Sequence, residues 1–145
     1  MEKQELMVDG LSFTEEEIIK FENGLPGFEN LTQFIITTVP EHEPFHWMHS
    51  LDDEAIKFIL VNPLQIHQTY DPQINPNTIK EIGISNKNDL LMYVIVTINQ
   101  SQFNLSTANL LGPILLNINN KKGIQVVLDD GRYSTKHSLL PQGGQ

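Results

Sequence analysis

Apolar residues along this chain come in short runs that are rich in β-branched and aromatic side chains and are separated by Asn, Gly, Pro and Asp. Runs bounded by turn-forming residues in this way are typical of the strands of an all-β barrel or sandwich. We therefore predict a compact, antiparallel, barrel-like β domain with one or two short helices. The predicted strands are Met7–Phe13, Ile18–Glu22, Gln33–Val39, Phe45–Leu51, Lys57–Val61, Ile66–Tyr70, Leu90–Ile98, Ile114–Asn119 and Ile124–Leu128.

Two of these strands have patterns that predict their place in the sheet. Phe45, Trp47 and Leu51 are separated by even numbers of residues, so their side chains should share one face of a strand. The run Leu90–Ile98 is long and almost continuously apolar, which predicts a central strand that is buried on both faces over most of its length.

Two stretches favour helical structure instead. Asn75 is a suitable cap before Pro76, and Gly83 follows the stretch, so a short helix is predicted over Asn75–Ile82. The stretch Ser50–Ala55 has a polar cap candidate and acidic residues behind it, which predicts one helical turn rather than a full helix.

The length of 145 residues predicts one domain, since a domain averages roughly 150 residues. We assign residues 1–140 to it and expect the tail Pro141–Gln145 to be frayed, because Gly and Gln offer little to pack. The chain has no cysteine, which excludes disulfides, a cysteine zinc site and a thiol nucleophile.

The formal net charge is −9, and it is unevenly placed. Residues 1–72 hold 14 acidic and three basic side chains, a charge of −11, whereas residues 73–145 carry +2. Such a balance argues against direct nucleic-acid binding, which needs a cationic surface for the phosphates. Two interpretations remain open: one acidic face that meets a partner, or acidic residues that simply keep a small protein soluble.

The N-terminal residues Met1–Glu5 lack the basic and apolar regions of a secretory signal. The longest apolar run, Leu90–Val96, is far shorter than the roughly 20 residues of a membrane-spanning helix. We therefore expect a cytoplasmic protein without a membrane partner.

The stretch His42–His46 matches the letters of the zinc-protease pattern His-Glu-x-x-His. That chemistry needs both histidines on one face of a helix. Pro44 interrupts such a helix, and Glu43 before it is biased away from helical backbone. We interpret the match as accidental, so no metal is predicted. A metal-dependent hydrolase stays as an alternative, because folding could bring His49 and His67 to His42 and His46.

Other catalytic patterns are missing from the sequence. It contains neither a Gly-x-Ser-x-Gly nucleophile elbow nor a glycine-rich phosphate loop, and no catalytic residue or cofactor is predicted. Adjacent carboxylates such as Asp52 and Asp53 are common in turns and are weak evidence for acid–base catalysis. A second alternative is a small-ligand-binding barrel with Trp47 and Tyr93 lining a cavity.

Three segments stand out for their turn chemistry. Phe21–Glu29 has two glycines around Leu-Pro, which implies a tight turn with Phe21 and Phe28 folded over it. Ser106–Ile114 presents two leucines beside a Gly-Pro breaker, and Gly123–Leu128 is a strand bounded by turn residues. Turn and core positions explain the first and third segments well.

Taken in order, these stretches resemble the flagellar assembly factor family FliW. The resemblance spans roughly Phe13 to Leu140. The matching pieces are Phe21-x-x-Gly24-Leu25-Pro26-Gly27-Phe28-Glu29, Leu51 with Asp52 and Phe58, Asn62-Pro63 with Tyr70, Thr107-Ala108-Asn109-Leu110 with Pro113-Ile114, Gln125-Val126-Val127-Leu128, and Tyr133.

This resemblance implies a non-enzymatic, cytoplasmic bacterial protein with a barrel-like β fold. It implies binding to CsrA, a small dimeric RNA-binding translational repressor, and thereby relief of the repression of flagellin messages. It also implies binding to flagellin near that protein's terminal helical region. Newly made flagellin would take up the factor and free the regulator.

The charge pattern agrees with such a partner, because an RNA-binding regulator must carry basic residues. We predict electrostatic contacts from two acidic groups and apolar contacts from two leucines, with the Phe45 and Trp47 region as a further apolar candidate. The predicted contact residues are Glu15, Glu16, Glu17, Asp52, Asp53, Glu54, Leu110 and Leu111. We expect a monomer, two copies of which could bind one CsrA dimer.

Overall fold

The computed structural model describes residues 6–8 and 10–139, and the predicted tail Pro141–Gln145 lies outside them. Within the described residues the chain forms eleven strands and one α-helix. They are β1 (Leu6–Val8), β2 (Leu11–Phe13), β3 (Ile19–Lys20), β4 (Gln33–Thr38), β5 (His46–Ser50), β6 (Lys57–Val61), β7 (Leu90–Thr97), β8 (Thr107–Ala108), β9 (Ile114–Asn117), β10 (Gly123–Gln125), β11 (His137–Ser138) and α1 (Pro76–Glu81).

One antiparallel sheet dominates the part of the chain that the structure describes. Its main order is β10-β9-β7-β6-β5-β4-β3, with β8 pairing β7 and β11 pairing β8. The predicted mainly β, antiparallel fold with a short helix is confirmed. β7 takes its predicted central place, because its first half pairs β9 while its second half pairs β6 and β8.

The predicted barrel does not close. Between the edge strands, the described residues make a single parallel bridge, Lys20 with Lys122, in which the Lys20 N–H donates to the Lys121 carbonyl at 2.8 Å. β3 has two residues and β10 has three, and their described ladders run to β4 and β9 rather than to each other. Lys121 also turns the chain at a φ of 60°. The sheet is therefore open between its two edges.

Two predicted strands are wrong, and a third, Ile124–Leu128, is a strand only as far as Gln125. The segment Met7–Phe13 is a hairpin of β1 and β2, since Gly10 at a φ of 75° reverses the chain. The segment Ile66–Tyr70 is a series of turns after a 3-10 turn at Pro63–Gln65, where Asn62 Oδ1 accepts the Leu64 N–H at 2.9 Å. The short strands β8 and β11 were not predicted from the sequence.

The predicted helix is confirmed, whereas the predicted helical turn over Ser50–Ala55 is a bend followed by a non-helical turn. α1 begins after Asn75, whose side chain accepts the Asn77 N–H at 2.9 Å, and Gly83 follows at a φ of 78°. After β5, the Ser50 hydroxyl accepts the N–H groups of Asp52 and Asp53 in one turn.

Apolar side chains pack on both faces of the sheet. The inner cluster contains Phe34, Met48 and Leu60, and the outer cluster contains Val61, Val94 and Leu110. Leu60 and Val61 are neighbours in β6, so the two clusters lie on opposite faces. β7 is less buried than predicted, because only two of its eight residues are buried and Leu91 is 41% exposed.

None of the helices in the described residues is long and apolar enough to cross a membrane.

Candidate partner-binding surfaces

The first predicted acidic group forms a 3-10 turn at Glu15–Glu17. Thr14 precedes it as the cap, and the Glu17 carboxylate accepts the Thr14 N–H at 2.7 Å. Glu17 therefore holds the beginning of its own turn, and all three glutamates are exposed.

The second acidic group, Asp52–Glu54, follows β5. Asp52 Oδ2 accepts the backbone N–H groups of Thr32 and Gln33 at 2.8 and 3.0 Å, so this carboxylate holds the beginning of β4. Asp53 Oδ1 accepts only the nearby Ala55 N–H, at 3.0 Å. Asp53 and Glu54 are exposed, and within the described residues neither forms a salt bridge.

The tertiary structure brings the two groups around one small apolar cluster. Ile18 follows Glu17, Leu51 precedes Asp52, and both pack on Val8, Phe13 and Ile35. We call the surface formed by Glu15–Glu17 and Asp52–Glu54 the acidic face. Its two parts are far apart in sequence, and the residues next to them, Ile18 and Leu51, pack in the same apolar cluster.

Lysines accompany one part of the acidic face. A cleft beside Glu15 and Glu16 is also lined by Glu22 and by Lys20, Lys121 and Lys122, with Lys122 Nζ 3.9 Å from Glu22 Oε1. These lysines offset the negative charge of the first group. Asp53 and Glu54, by contrast, lie outside this lysine-lined cleft and form no salt bridge within the described residues.

Of the two predicted leucine contacts, only Leu111 reaches a cavity. Leu110 is completely buried in the outer cluster. Its carbonyl oxygen accepts a hydrogen bond from the Tyr70 hydroxyl, with 2.7 Å between the two oxygen atoms. Its side chain is a core group rather than a surface contact, because the turn of Ser106–Ile114 directs it inward. Leu111 is half-buried and lines a cavity of about 320 Å³.

This cavity is the main site feature that the sequence left unpredicted. The three segments with turn chemistry, Phe21–Glu29, Ser106–Ile114 and Gly123–Leu128, all contribute to its wall. We call it the apolar groove. The described residues that line it are Leu25, Pro26, Phe28, Phe58, Ile95, Asn109, Leu111, Gly112, Gln125, Val127, Leu128 and Thr135.

The histidine stretch has no zinc-protease geometry, as predicted. A 3-10 turn ends at His42, the Glu43–Pro44 peptide bond is cis, and β5 begins at His46. His42 Nδ1 accepts the Trp47 indole N–H at 3.0 Å, and His46 Nδ1 lies 2.8 Å from Thr38 Oγ1. Over residues 6–8 and 10–139, no group of three His, Cys, Asp or Glu side chains could hold a metal ion.

Trp47 and Tyr93 do not line one cavity. Tyr93 packs on the inner cluster, which also contains Met48. Trp47 is the neighbour of Met48 in β5, so its side chain points to the opposite face of the sheet, where Lys57 Nζ lies 5.3 Å from its ring centre. The two aromatic residues of the ligand-barrel alternative are thus separated by the sheet.

Comparison with known proteins gives one consistent family. The family model described as "FliW protein" matches residues 3–139. A flagellar assembly factor FliW from Alkaliphilus metalliredigens is 38% identical over 91% of this chain and 82% of its own length. One from Geobacillus sp. (strain WCH70) is 36% identical over 91% of this chain and 90% of its own.

A solved structure agrees in fold. The crystal structure of a flagellar assembly factor FliW superposes with a TM-score of 0.86 at 32% sequence identity, covering 96% of this chain and 99% of that one.

Proposed function

The chain belongs to the FliW family of flagellar assembly factors, which are not enzymes, and on that premise we propose that it controls flagellin synthesis by binding two polypeptides in turn. One partner is the translational regulator CsrA, whose repression of flagellin mRNA it relieves. The other is flagellin, which takes up the factor as it accumulates. The freed regulator then represses translation again.

The observation that carries this proposal is the acidic face. An RNA-binding regulator must present cationic side chains to the phosphates. The N-terminal half of this chain has a charge of −11, and the residues flanking two of its acidic groups, Ile18 and Leu51, pack in one apolar cluster. A surface of this sign steers a cationic partner and raises association rates by about 10- to 1,000-fold at low salt.

The same charge supplies a way to antagonise RNA binding. Carboxylates held beside the RNA-binding surface of the regulator repel the phosphates, so the factor need not occupy every base contact. Exposed charges set the rate and register of association more than its strength, and affinity must come from buried apolar contacts. The proposal needs no cofactor and no direct contact between the factor and nucleic acid.

We place the protein in the cytoplasm, where translation of flagellin mRNA takes place. We expect it to act as a monomer, two copies of which bind the two equivalent surfaces of one CsrA dimer. A symmetric dimer presents the same patch twice, which gives this stoichiometry.

The test is a reconstitution with purified components. CsrA is first bound to a labelled flagellin leader RNA, this protein is then added, and RNA release is followed by fluorescence anisotropy. We expect release in proportion to added protein and rebinding of the RNA once flagellin is supplied. RNA that stays bound at micromolar concentrations of the factor would contradict the proposal.

A further inference from the structure

The apolar groove differs in chemistry from the acidic face. Among the described residues that line it, none is charged. Its surface comes from Leu25, Phe28, Phe58, Ile95 and Leu111, with Val127 at the rim. Val127 is 73% exposed and Phe28 is 39% exposed, so large apolar side chains stand open to solvent here.

The walls of the groove are held in place by the fold. The Phe28 and Phe58 rings meet edge to face with their centres 5.4 Å apart. On the other wall, the Leu128 N–H donates to the Leu111 carbonyl at 2.8 Å. A concave, preformed apolar surface loses little conformational entropy when a ligand side chain enters it.

Two amide side chains add polar positions beside Gly112. Gln125 Nε2 donates to the Gly112 carbonyl at 2.9 Å, and Asn109 Oδ1 accepts the Leu111 N–H at 3.0 Å. The remaining atoms, Gln125 Oε1 and Asn109 Nδ2, have no hydrogen-bond partner among the residues that the structure describes. One acceptor and one donor on an apolar wall match the two groups of a peptide unit.

We propose that the apolar groove binds an uncharged, apolar segment of flagellin, whereas the acidic face serves the cationic regulator. This moves the predicted Leu111 contact from the regulator to flagellin and leaves the Phe45 and Trp47 region as the apolar candidate for the regulator. The inference rests on the proposed function, which supplies two polypeptide partners of different chemistry. A subunit that polymerises carries apolar surface that is buried only after assembly, and the free subunit gains by covering it. An uncharged groove can bind such a segment. It offers no negative charge to pair with the cationic surface of the regulator.

The expected contact is one or two large aliphatic or aromatic side chains inserted between Phe28 and Leu111. The side chains of an amphipathic helix, three or four positions apart, can enter a groove in this way. A buried anchor residue in a well-packed pocket is where binding energy concentrates.

The first test places a charge in the groove. Val127→Glu and Val127→Lys change an exposed side chain, so the fold should persist, and its thermal unfolding midpoint checks this. We expect both variants to weaken flagellin binding by about tenfold or more and to leave regulator binding unchanged. Leu64→Glu and Leu64→Lys are the matched controls, because Leu64 is 52% exposed and lies outside the groove.

The two signs of charge make the result specific. If only one of the two Val127 variants weakened flagellin binding, the loss would depend on the sign of the added charge. That result would overturn the proposal. Unchanged flagellin affinity, an equal loss in the Leu64 controls, or a loss for the regulator instead of flagellin would overturn it as well. Failure of the proposed function gives a separate signal, since the unaltered protein would then bind neither partner.

A second measurement reports occupancy directly. The chain has no cysteine, so Val127→Cys gives a single attachment point for a polarity-sensitive dye. Adding monomeric flagellin should shift the emission of that dye to the blue, and the same dye on Leu64→Cys should not respond. A response at Leu64 without one at Val127 would overturn the assignment.

Discussion

The hydroxyl of Tyr70 donates a hydrogen bond to the backbone carbonyl of Leu110 at 2.7 Å, joining positions 40 residues apart in the sequence. Both residues are buried in the outer cluster. Tyr70 also packs on Tyr133, with ring centres 4.7 Å apart. This bond fixes the turn that carries Leu111, and so it holds one wall of the apolar groove from behind.

Removing that hydroxyl should weaken the fold. Tyr70→Phe leaves the Leu110 carbonyl buried without its donor, and we expect the free energy of unfolding to fall by about 1–2 kcal/mol. Urea unfolding followed through the fluorescence of Trp47 measures this. Tyr93→Phe is the control, because the described structure shows no hydrogen bond from the Tyr93 hydroxyl. Equal losses in the two variants would contradict this role of the Leu110 contact.

The raised pKa of Tyr70 predicts that the protein loses stability at alkaline pH. Burial, followed by the neighbouring Tyr133 and Asp130, raises the pKa of Tyr70 well above its usual value. An unfolded tyrosine deprotonates near pH 10, so this contribution is complete below that pH and is lost as the pH rises further. We expect the urea midpoint to fall between about pH 10 and pH 11, and to fall less in Tyr70→Phe. Parallel pH profiles for the two proteins would contradict the prediction.

Asp52 and Glu54 should differ in their contribution to the free energy of unfolding. Asp52→Ala removes the acceptor of two backbone N–H groups, and we expect a loss of about 1–2 kcal/mol in the free energy of unfolding. Glu54→Ala changes an exposed side chain and should stay within about 0.5 kcal/mol of the unaltered protein. Thermal unfolding of both variants checks this, and equal midpoints would show that Asp52 does not hold β4.

The acidic face should control how fast the regulator binds. Asp53→Lys combined with Glu54→Lys reverses two charges and leaves the Asp52 hydrogen bonds in place. We expect the association rate with CsrA to fall about tenfold at low salt, and the difference to shrink as salt screens the charges. Stopped-flow mixing at several salt concentrations measures both effects.

The control for that experiment is Glu81→Lys with Asp89→Lys, the same change of charge in the C-terminal half of the chain. A rate that stays the same in the Asp53 and Glu54 variant, or that falls equally in the control, would remove those two residues from the interface.

Two glycines in the first turn segment should respond differently to a methyl group. Gly24 has a φ of 66°, and an added Cβ would lie 2.6 Å from the Phe28 carbonyl oxygen, so Gly24→Ala should cost about 3 kcal/mol. Gly27 has a φ of 84° but open space, and Gly27→Ala should cost about 1–2 kcal/mol. Urea unfolding tests the order, and a larger loss at Gly27 would contradict it.

The sequence predicted those elements whose local signals agree with their environment. β4, β5 and β6 occur within one residue of the predicted bounds, because runs of β-branched and aromatic residues suit a strand that packs on both faces. α1 was predicted from the Asn75 cap, Pro76 and Gly83. The helix that the histidine motif needs was excluded by Pro44 and by the bias of the preceding Glu43 away from helical backbone. Strand propensity, helix capping and the restriction imposed by proline are local effects, because they depend on residues that are near one another in the sequence.

Errors arose where a turn signal lay inside an apolar run. Gly10 splits the predicted strand Met7–Phe13 into a hairpin. The cap at Asn62 and the Tyr70–Leu110 contact hold Ile66–Tyr70 in turns. The barrel was predicted from strand composition, yet closure depends on whether the two edge strands pair with each other, and they share a single bridge.

The sequence by itself determined the family, the mainly β class and the excess of acid in the N-terminal half, because these follow from residue types and their order. Only the tertiary structure decided that Ile18 beside Glu17 and Leu51 beside Asp52 pack in one cluster, that Leu110 is core while Leu111 reaches a cavity, and that three separate turns form one groove. The physical reason is that sheet pairing and apolar packing bring together residues that are distant along the chain, and no local pattern records that proximity.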